Sequence, residues 1–129
     1  VHDVGKSALD VAVLLARPPL GADARAALRR HPALGAEMAA GALSTEQAAW
    51  VRGHHERWDG AGFPDGLAGE RIPEGARLLA VADAWDRLTA CRPRPAGGED
   101  PLALLRREVG RRFCPRAADA LARVLEGGP

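Results

Sequence analysis

Helix-start signals punctuate this chain from end to end, and little in it favours a strand. Ser44, with Gln47 three residues on, makes a capping-box pair for a helix that carries Trp50 and Val51 and closes near His54 and His55. Asp23 is placed to cap a helix running to about Arg30. Pro32 suits the first turn of the next, with Leu34 and Met38 on one face. Glu74 starts a long helix, in which Leu78, Val81, Ala82, Trp85 and Leu88 follow helical spacing. Asp100-Pro101 is a cap followed by a first-turn proline, beginning a helix that Gly110 can end. Pro115 opens the last helix, with Leu121, Val124 and Leu125 expected as its buried face. The stretch from Asp59 to Gly69 contains Gly60, Gly62, Gly66, Gly69 and Pro64 and reads as a loop, and Arg92 to Gly98 is a Pro/Gly linker. β-branched and aromatic residues are few. The expected fold class is therefore all-α, a helical bundle.

At 129 residues the chain is one domain, able to bury roughly two-thirds of its unfolded surface. Its formal net charge of +1 leaves no bulk basic field, so no duplex nucleic acid is expected as a partner. Leu9 to Ala16 is too short and interrupted for a membrane segment, and nothing ahead of it resembles a signal peptide. Cys91 and Cys114 are far apart and outside any CxxC arrangement, which suits free thiols in a cytoplasmic protein. The chain begins immediately before His2-Asp3, and a site there would have structure on both sides. The expectation is a domain truncated at its N-terminus, the carboxy-terminal portion of something longer.

Of 18 basic residues only Lys6 is a lysine, and it closes the run HDVGK. All four histidines fall in related places: His2 beside Asp3, His31 before Pro32, and the pair His54-His55 opening HHERWDGAGFP. Imidazole and carboxylate are usual ligands for iron, manganese or zinc where oxygen or phosphate chemistry is done. A carboxylate such as Asp3 can bridge two cations. Gly5 lets backbone come close to a ligand, and the Lys6 ammonium can neutralise phosphate. Adjacent imidazoles are awkward on one metal but natural on two held roughly 4 Å apart. Asp83, on an apolar helix, is costly unless it meets a cation or donors. Asp86, one turn on, either orients a ligand or pairs with an arginine in solvent. Phe63 stacks a base or plugs the core. Taken singly, each of these has an ordinary structural explanation, a surface His-Asp pair or a core ring. Taken jointly they read as one metal-phosphate site.

Together these runs resemble the HD-GYP family, the cyclic di-GMP phosphodiesterase branch of the HD-domain superfamily of metal-dependent phosphohydrolases. HDVGK is similar to the family's HD-x-G-K, and His31-Pro32 to its isolated HP. HHERWDGAGFPDGLAGERIP looks like HHE-x-x-DG-x-GYP with GL-x-G-x-x-IP, and Ala76-Arg77 through Thr89 like the AR-x-x-x-VAD-x-x-D-x-LT helix. The resemblance implies an HD-domain-like bundle over residues 1–129, with a catalytic core at 1–91 and a C-terminal helical part at 99–127. It implies His2, Asp3, His31, His54, His55 and Asp83 as ligands of two or three divalent metal ions, iron or manganese. Asp3 and Lys6 would be catalytic, and Arg92, Gly60, Gly62 and Phe63 would bind substrate. The substrate would be cyclic di-GMP or a related cyclic dinucleotide, opened to linear pGpG and onward to GMP. A diguanylate cyclase (GGDEF) protein is the implied partner at the Gly62-Phe63-Pro64 loop. The chain departs from the pattern in four ways. The upstream histidine and glutamate would precede Val1, Phe63 replaces the signature tyrosine, Pro95 replaces a later basic position, and Cys114 replaces a capping aspartate. The alternative is a catalytically weak or inactive signalling module that binds nucleotide or metal, or docks a partner. A di-iron oxygenase of the same superfamily is a third reading, against which the GFP loop and Lys6 argue.

Overall fold

The structure, a computed structural model, describes residues 1–90 and 99–127. The linker, with Cys91, Arg92 and Pro95, lies outside the described residues. Among the described residues seven α-helices run in order: α1 Val11–Leu15, α2 Ala22–Leu28, α3 His31–Ala39, α4 Thr45–Gly53, α5 Glu74–Ala90, α6 Pro101–Arg107 and α7 Pro115–Leu125. Short 3-10 turns cover Val4–Ala8 and Gly69–Arg71. No strand is present among the described residues, only an isolated bridge between Val109 and Phe113. The expected all-α class is what the chain adopts.

Local chemistry explains most of the helix starts. The Ser44 hydroxyl accepts from the Gln47 amide while the Gln47 side chain accepts from Ser44 N, so the capping box is complete. Asp100 accepts from Ala103 N, and Pro101 follows in the first turn. Cys114 precedes α7 without a side-chain cap bond, as expected where a thiol replaces an aspartate. Three readings need correction. Gly21, not Asp23, is the N-cap of α2, and Asp23 lies in the first turn, where its charge suits the helix dipole. Helix α6 ends at Arg107, and Gly110 at φ 80° instead shapes the turn beyond it. The buried residues of α7 are Ala117 and Ala118, whereas Val124 is 71% exposed. Small side chains let α7 approach α5 closely; Leu121 packs against that core as expected, while Val124 and Leu125 are left outside.

Helix α5 organises the domain. It packs against α4 on one side and against α6 and α7 on the other, while α3 joins α4 to the N-terminal turn. Val81 and Ala84 of α5 meet Leu105, Phe113, Cys114, Ala117 and Ala118 in the core, with Trp58 and Trp85 packed on its edge. Leu78 and Leu88, expected on the apolar face, stay partly exposed. Cys114 is a buried free thiol. Among the described residues no helix is long and apolar enough to cross a membrane.

Candidate metal centre

Two helix ends and one tight turn aim side chains at the same point. Asp3 precedes the 3-10 turn, His31 is the first residue of α3, His54 is the C-cap of α4, and His55 follows it. One ligand atom from each of Asp3, His31, His54 and His55 lies within 4.8 Å of the others. Asp3 Oδ1 is 3.2 Å from His31 Nε2 and 3.8 Å from His54 Nε2. His2 extends the group, its Nε2 lying 3.7 Å from Asp3 Oδ2 and 3.8 Å from Asp83 Oδ1. The six residues expected to act as ligands therefore form one continuous cluster. Asp83 also accepts a hydrogen bond from Arg87.

The backbone selects the tautomers. Nδ1 of His31 lies 2.6 Å from the Leu28 carbonyl oxygen, and Nδ1 of His54 lies 2.6 Å from that of Val51. A carbonyl only accepts, so each Nδ1 carries the hydrogen and each Nε2 presents a lone pair. Both Nε2 atoms are buried and lack a hydrogen-bond partner. Leaving such groups unmet costs about 1–3 kcal/mol each. His31 Nε2 moreover faces Asp3 Oδ1, acceptor against acceptor, which calls for a cation or a proton between them.

Electrostatics disfavours the proton. Burial lowers the pKa of His31 despite the pull of the Leu28 carbonyl and Asp3. Burial also lowers His54, although the Val51 carbonyl opposes it, and the neighbouring His2 and His31 add to the lowering. His55 is pushed down to about 3 by burial, then by His54, His31 and Arg87. Burial tends to raise the Asp3 carboxyl, but the hydrogen bond and charge of Lys6, helped by His2 and His31, leave it below the usual value. At neutral pH the group is three neutral imidazoles and a carboxylate, the protonation state a divalent cation requires. This donor set, with two orphaned buried lone pairs, fits a metal ion.

Around this centre Lys6 donates from Nζ to Asp3 Oδ2 at 2.6 Å. An opening of about 460 Å³ is lined by His2, Asp3, Lys6, Asp83, Asp86 and Arg87. On the other side a cavity of about 190 Å³ is lined by His54, His55 and Phe63 together with Arg29, Arg87 and Arg112. The Phe63 ring lies 5.0 Å from the His55 ring between centroids, and the Arg29 guanidinium sits 5.0 Å over it. Gly60 and Gly62 serve the loop itself: Gly60 has φ 80°, and a Cβ on Gly62 would fall 2.3 Å from Arg57 N. Arg92 is outside the described residues. Sequence reasoning missed Glu56, which is 3% exposed and accepts from Asp65 N at 2.7 Å and Leu67 N at 3.1 Å, pinning the glycine loop beneath the histidines. Its place directly after His54-His55 was the available signal. Arg29, Arg87 and Arg112 were missed as well.

Helix ends presenting histidines and an aspartate to a shared point define a helical domain with a donor group able to hold a metal ion. The HD-domain family matches residues 1–116, so the chain belongs to that family, and its motifs place it in the HD-GYP branch. It is 44% identical over 128 residues to the cyclic di-GMP phosphodiesterase response regulator RpfG of Xanthomonas campestris pv. campestris, covering 95% of this chain and 34% of that protein. It is 37% identical over 131 residues to a probable cyclic di-GMP phosphodiesterase of Vibrio cholerae, covering 93% of this chain and 30% of the relative. The crystal structure of a cyclic GMP-AMP specific phosphodiesterase of V. cholerae superposes with a TM-score of 0.70 at 24% identity, covering 83% of this chain and 25% of that one. At that identity the superposition shows a shared fold. The chain spans about a third of the length of the relatives it matches.

Proposed function

We propose that this domain is a metal-dependent phosphodiesterase that hydrolyses a cyclic dinucleotide, cyclic di-GMP first among them, to pGpG and GMP. The observation that carries this reading is the convergence of Asp3, His31, His54 and His55, with two partnerless imidazole lone pairs, beside Lys6. Relatives named as cyclic di-GMP phosphodiesterases support the substrate class. In this reading His2, Asp3, His31, His54, His55 and Asp83 would hold two or three divalent ions, iron or manganese. A divalent ion held there supplies a Lewis acid and a means of ionising water near neutral pH.

The chain's own residues do the rest. Hydrolysis breaks one P–O bond to a ribose oxygen, water supplies the new oxygen on phosphorus, and the departing ribose oxygen takes up a proton. Lys6, held by Asp3, is placed to neutralise a phosphate oxygen or to give that proton. Phe63 offers an aromatic face for a base, backed by His55. Residues 1–129 act as one unit, because α6 and α7 complete the core on which α5 rests. The buried free thiol of Cys114 favours residence in the reducing cytoplasm. A GGDEF-type partner would engage the outer edge of the GFP loop, since the Phe63 ring faces His55.

The test loads the chain with iron or manganese under reducing conditions, counts bound metal, and follows cyclic di-GMP by chromatography. The reading expects pGpG and then GMP, abolished by a chelator. Tight binding of the dinucleotide without product would make the domain a signalling module instead. The absence of both binding and turnover would refute the substrate class.

A further inference from the structure

The cavity beside His54 and His55 is walled by more positive charge than its own carboxylates offset. Arg29, Arg57, Arg87 and Arg112 all line it. Arg57 is paired with Asp59 and Arg87 with Asp83, while among the described residues Arg29 and Arg112 take part in no ion pair. Glu56, the acidic residue in the lining, is turned to the amides of Asp65 and Leu67.

Arg112 is the informative member. It is half-buried, its guanidinium lies 5.0 Å over the Phe113 ring, and burial with the charges of Arg87 and Arg57 works against its protonated form, opposed by Glu108 and Asp83. Gathering like charges around a half-buried guanidinium is unfavourable unless an anion joins them. The backbone nevertheless holds the arrangement. Trp58 N donates to Arg112 O at 3.2 Å, Asp59 N to Arg111 O at 2.8 Å, and Gly110 N to Phe113 O at 2.9 Å. The first two bonds fasten the turn before α7 to the loop that follows the histidine pair, and the third closes the turn. Val109 and Phe113 bridge across the same turn. The C-terminal helical part thereby reaches the cavity next to the metal centre.

We propose that Arg112, with Arg57 and Arg87 beside it, forms an anion subsite for the second phosphodiester of the substrate, the one that is not cut. The inference rests on the cyclic dinucleotide reading above and deepens it. A cyclic dinucleotide carries two phosphodiesters in one ring, so a phosphate at the metal centre leaves another to be received close by. The cavity, about 190 Å³, has room for a phosphate group and too little for a whole dinucleotide. Arg87 stands between the two places, bonded to Asp83 and lining both openings. A planar guanidinium gives a phosphodiester two parallel N–H donors, which lysine cannot match. Arg112 is thus a specificity residue: it distinguishes a substrate with two phosphates from one with a single phosphate.

The test compares the metal-loaded parent with Arg112→Met, which keeps a long apolar stem on Phe113, and with Arg112→Lys. Substrates are cyclic di-GMP and bis(p-nitrophenyl) phosphate, a diester with one phosphate; calorimetry measures cyclic di-GMP binding. Arg112→Met should lower the ratio of kcat/KM for cyclic di-GMP over that for the single diester by about 10- to 100-fold, the weight of a charged hydrogen-bonding pair. Arg112→Lys should restore part of that ratio. Cyclic di-GMP affinity should fall with the same pattern, and bound metal should stay at the parental level. An unaltered ratio in an active parent overturns the subsite and leaves the phosphodiesterase reading intact. An equal fall for both substrates, or a loss of metal, also overturns it, because Arg112 would then act through the fold. If the parent binds cyclic di-GMP without cleaving it, the hydrolytic reading fails and the affinities alone decide the subsite. A parent that neither binds nor cleaves it overturns both. Should Arg112→Met melt early, Arg112→Gln replaces it in the same comparison.

Discussion

A Cβ placed on Gly5 would lie 2.0 Å from the carbonyl oxygen of His31. The segment that carries Asp3 and the helix that carries His31 therefore touch backbone to backbone, with Gly35 one turn further on also in contact. Gly5→Ala forces them apart. It should cost about 1–3 kcal/mol, the usual range for overpacking, and lower metal occupancy because Asp3 moves with the turn. Denaturant unfolding and metal analysis check this; a parental midpoint with full metal would refute it.

Glu56 holds two backbone amides of the glycine loop with one carboxylate. Glutamine offers one oxygen, so one amide would face its NH2 group. Glu56→Gln should destabilise the protein by about 1–3 kcal/mol and raise hydrogen exchange at Asp65 and Leu67. Protection at both amides equal to the parent's would show that the loop holds itself.

Lys6 is bonded to Asp3 yet is not among the imidazole and carboxylate donors. Lys6→Met should lower cyclic di-GMP turnover by about tenfold or more while bound metal stays near parental. Loss of metal would make Lys6 a structural support for Asp3, and undiminished turnover would remove it from the chemistry.

The Asp59 carboxyl is brought down to about 2 by the hydrogen bond from Arg57, helped by the Ala61 amide. Since the folded value is depressed below the ordinary 3.8, its favourable contribution is complete above pH 3.8. It is lost as pH falls through about 2. Carbon-detected NMR titration of the side chain should place its midpoint there in the parent and near the ordinary value in Arg57→Met. A midpoint unmoved by Arg57→Met would assign the shift to the loop backbone.

What the sequence could disclose depended on whether the cause was local. The Ser44-Gln47 box, the Pro101 and Pro115 starts and the extent of α5 are set by neighbours within a turn, and each was legible. The face of α7 was legible only at Leu121, because Ala117 and Ala118 are chosen by how near α5 can come, a property of two helices at once. Likewise the histidines and aspartates of the cluster stood out by composition and spacing, whereas Glu56 acts on amides nine and eleven residues away. Arg112 reaches the cavity only through a turn far along the chain. Charge meeting charge across such distances leaves no local mark.

Asp3, His31, His54 and His55 come from stretches that an unfolded chain would keep far apart. Any ion gripping them together closes two long loops in one act, and loop closure is what a denatured chain resists most in entropy. Such an ion is a fastener as well as a reagent. At a free concentration a thousand times its dissociation constant it would add about 4 kcal/mol to the folded state. Metal supply would then govern how much folded protein persists, as well as how fast it works.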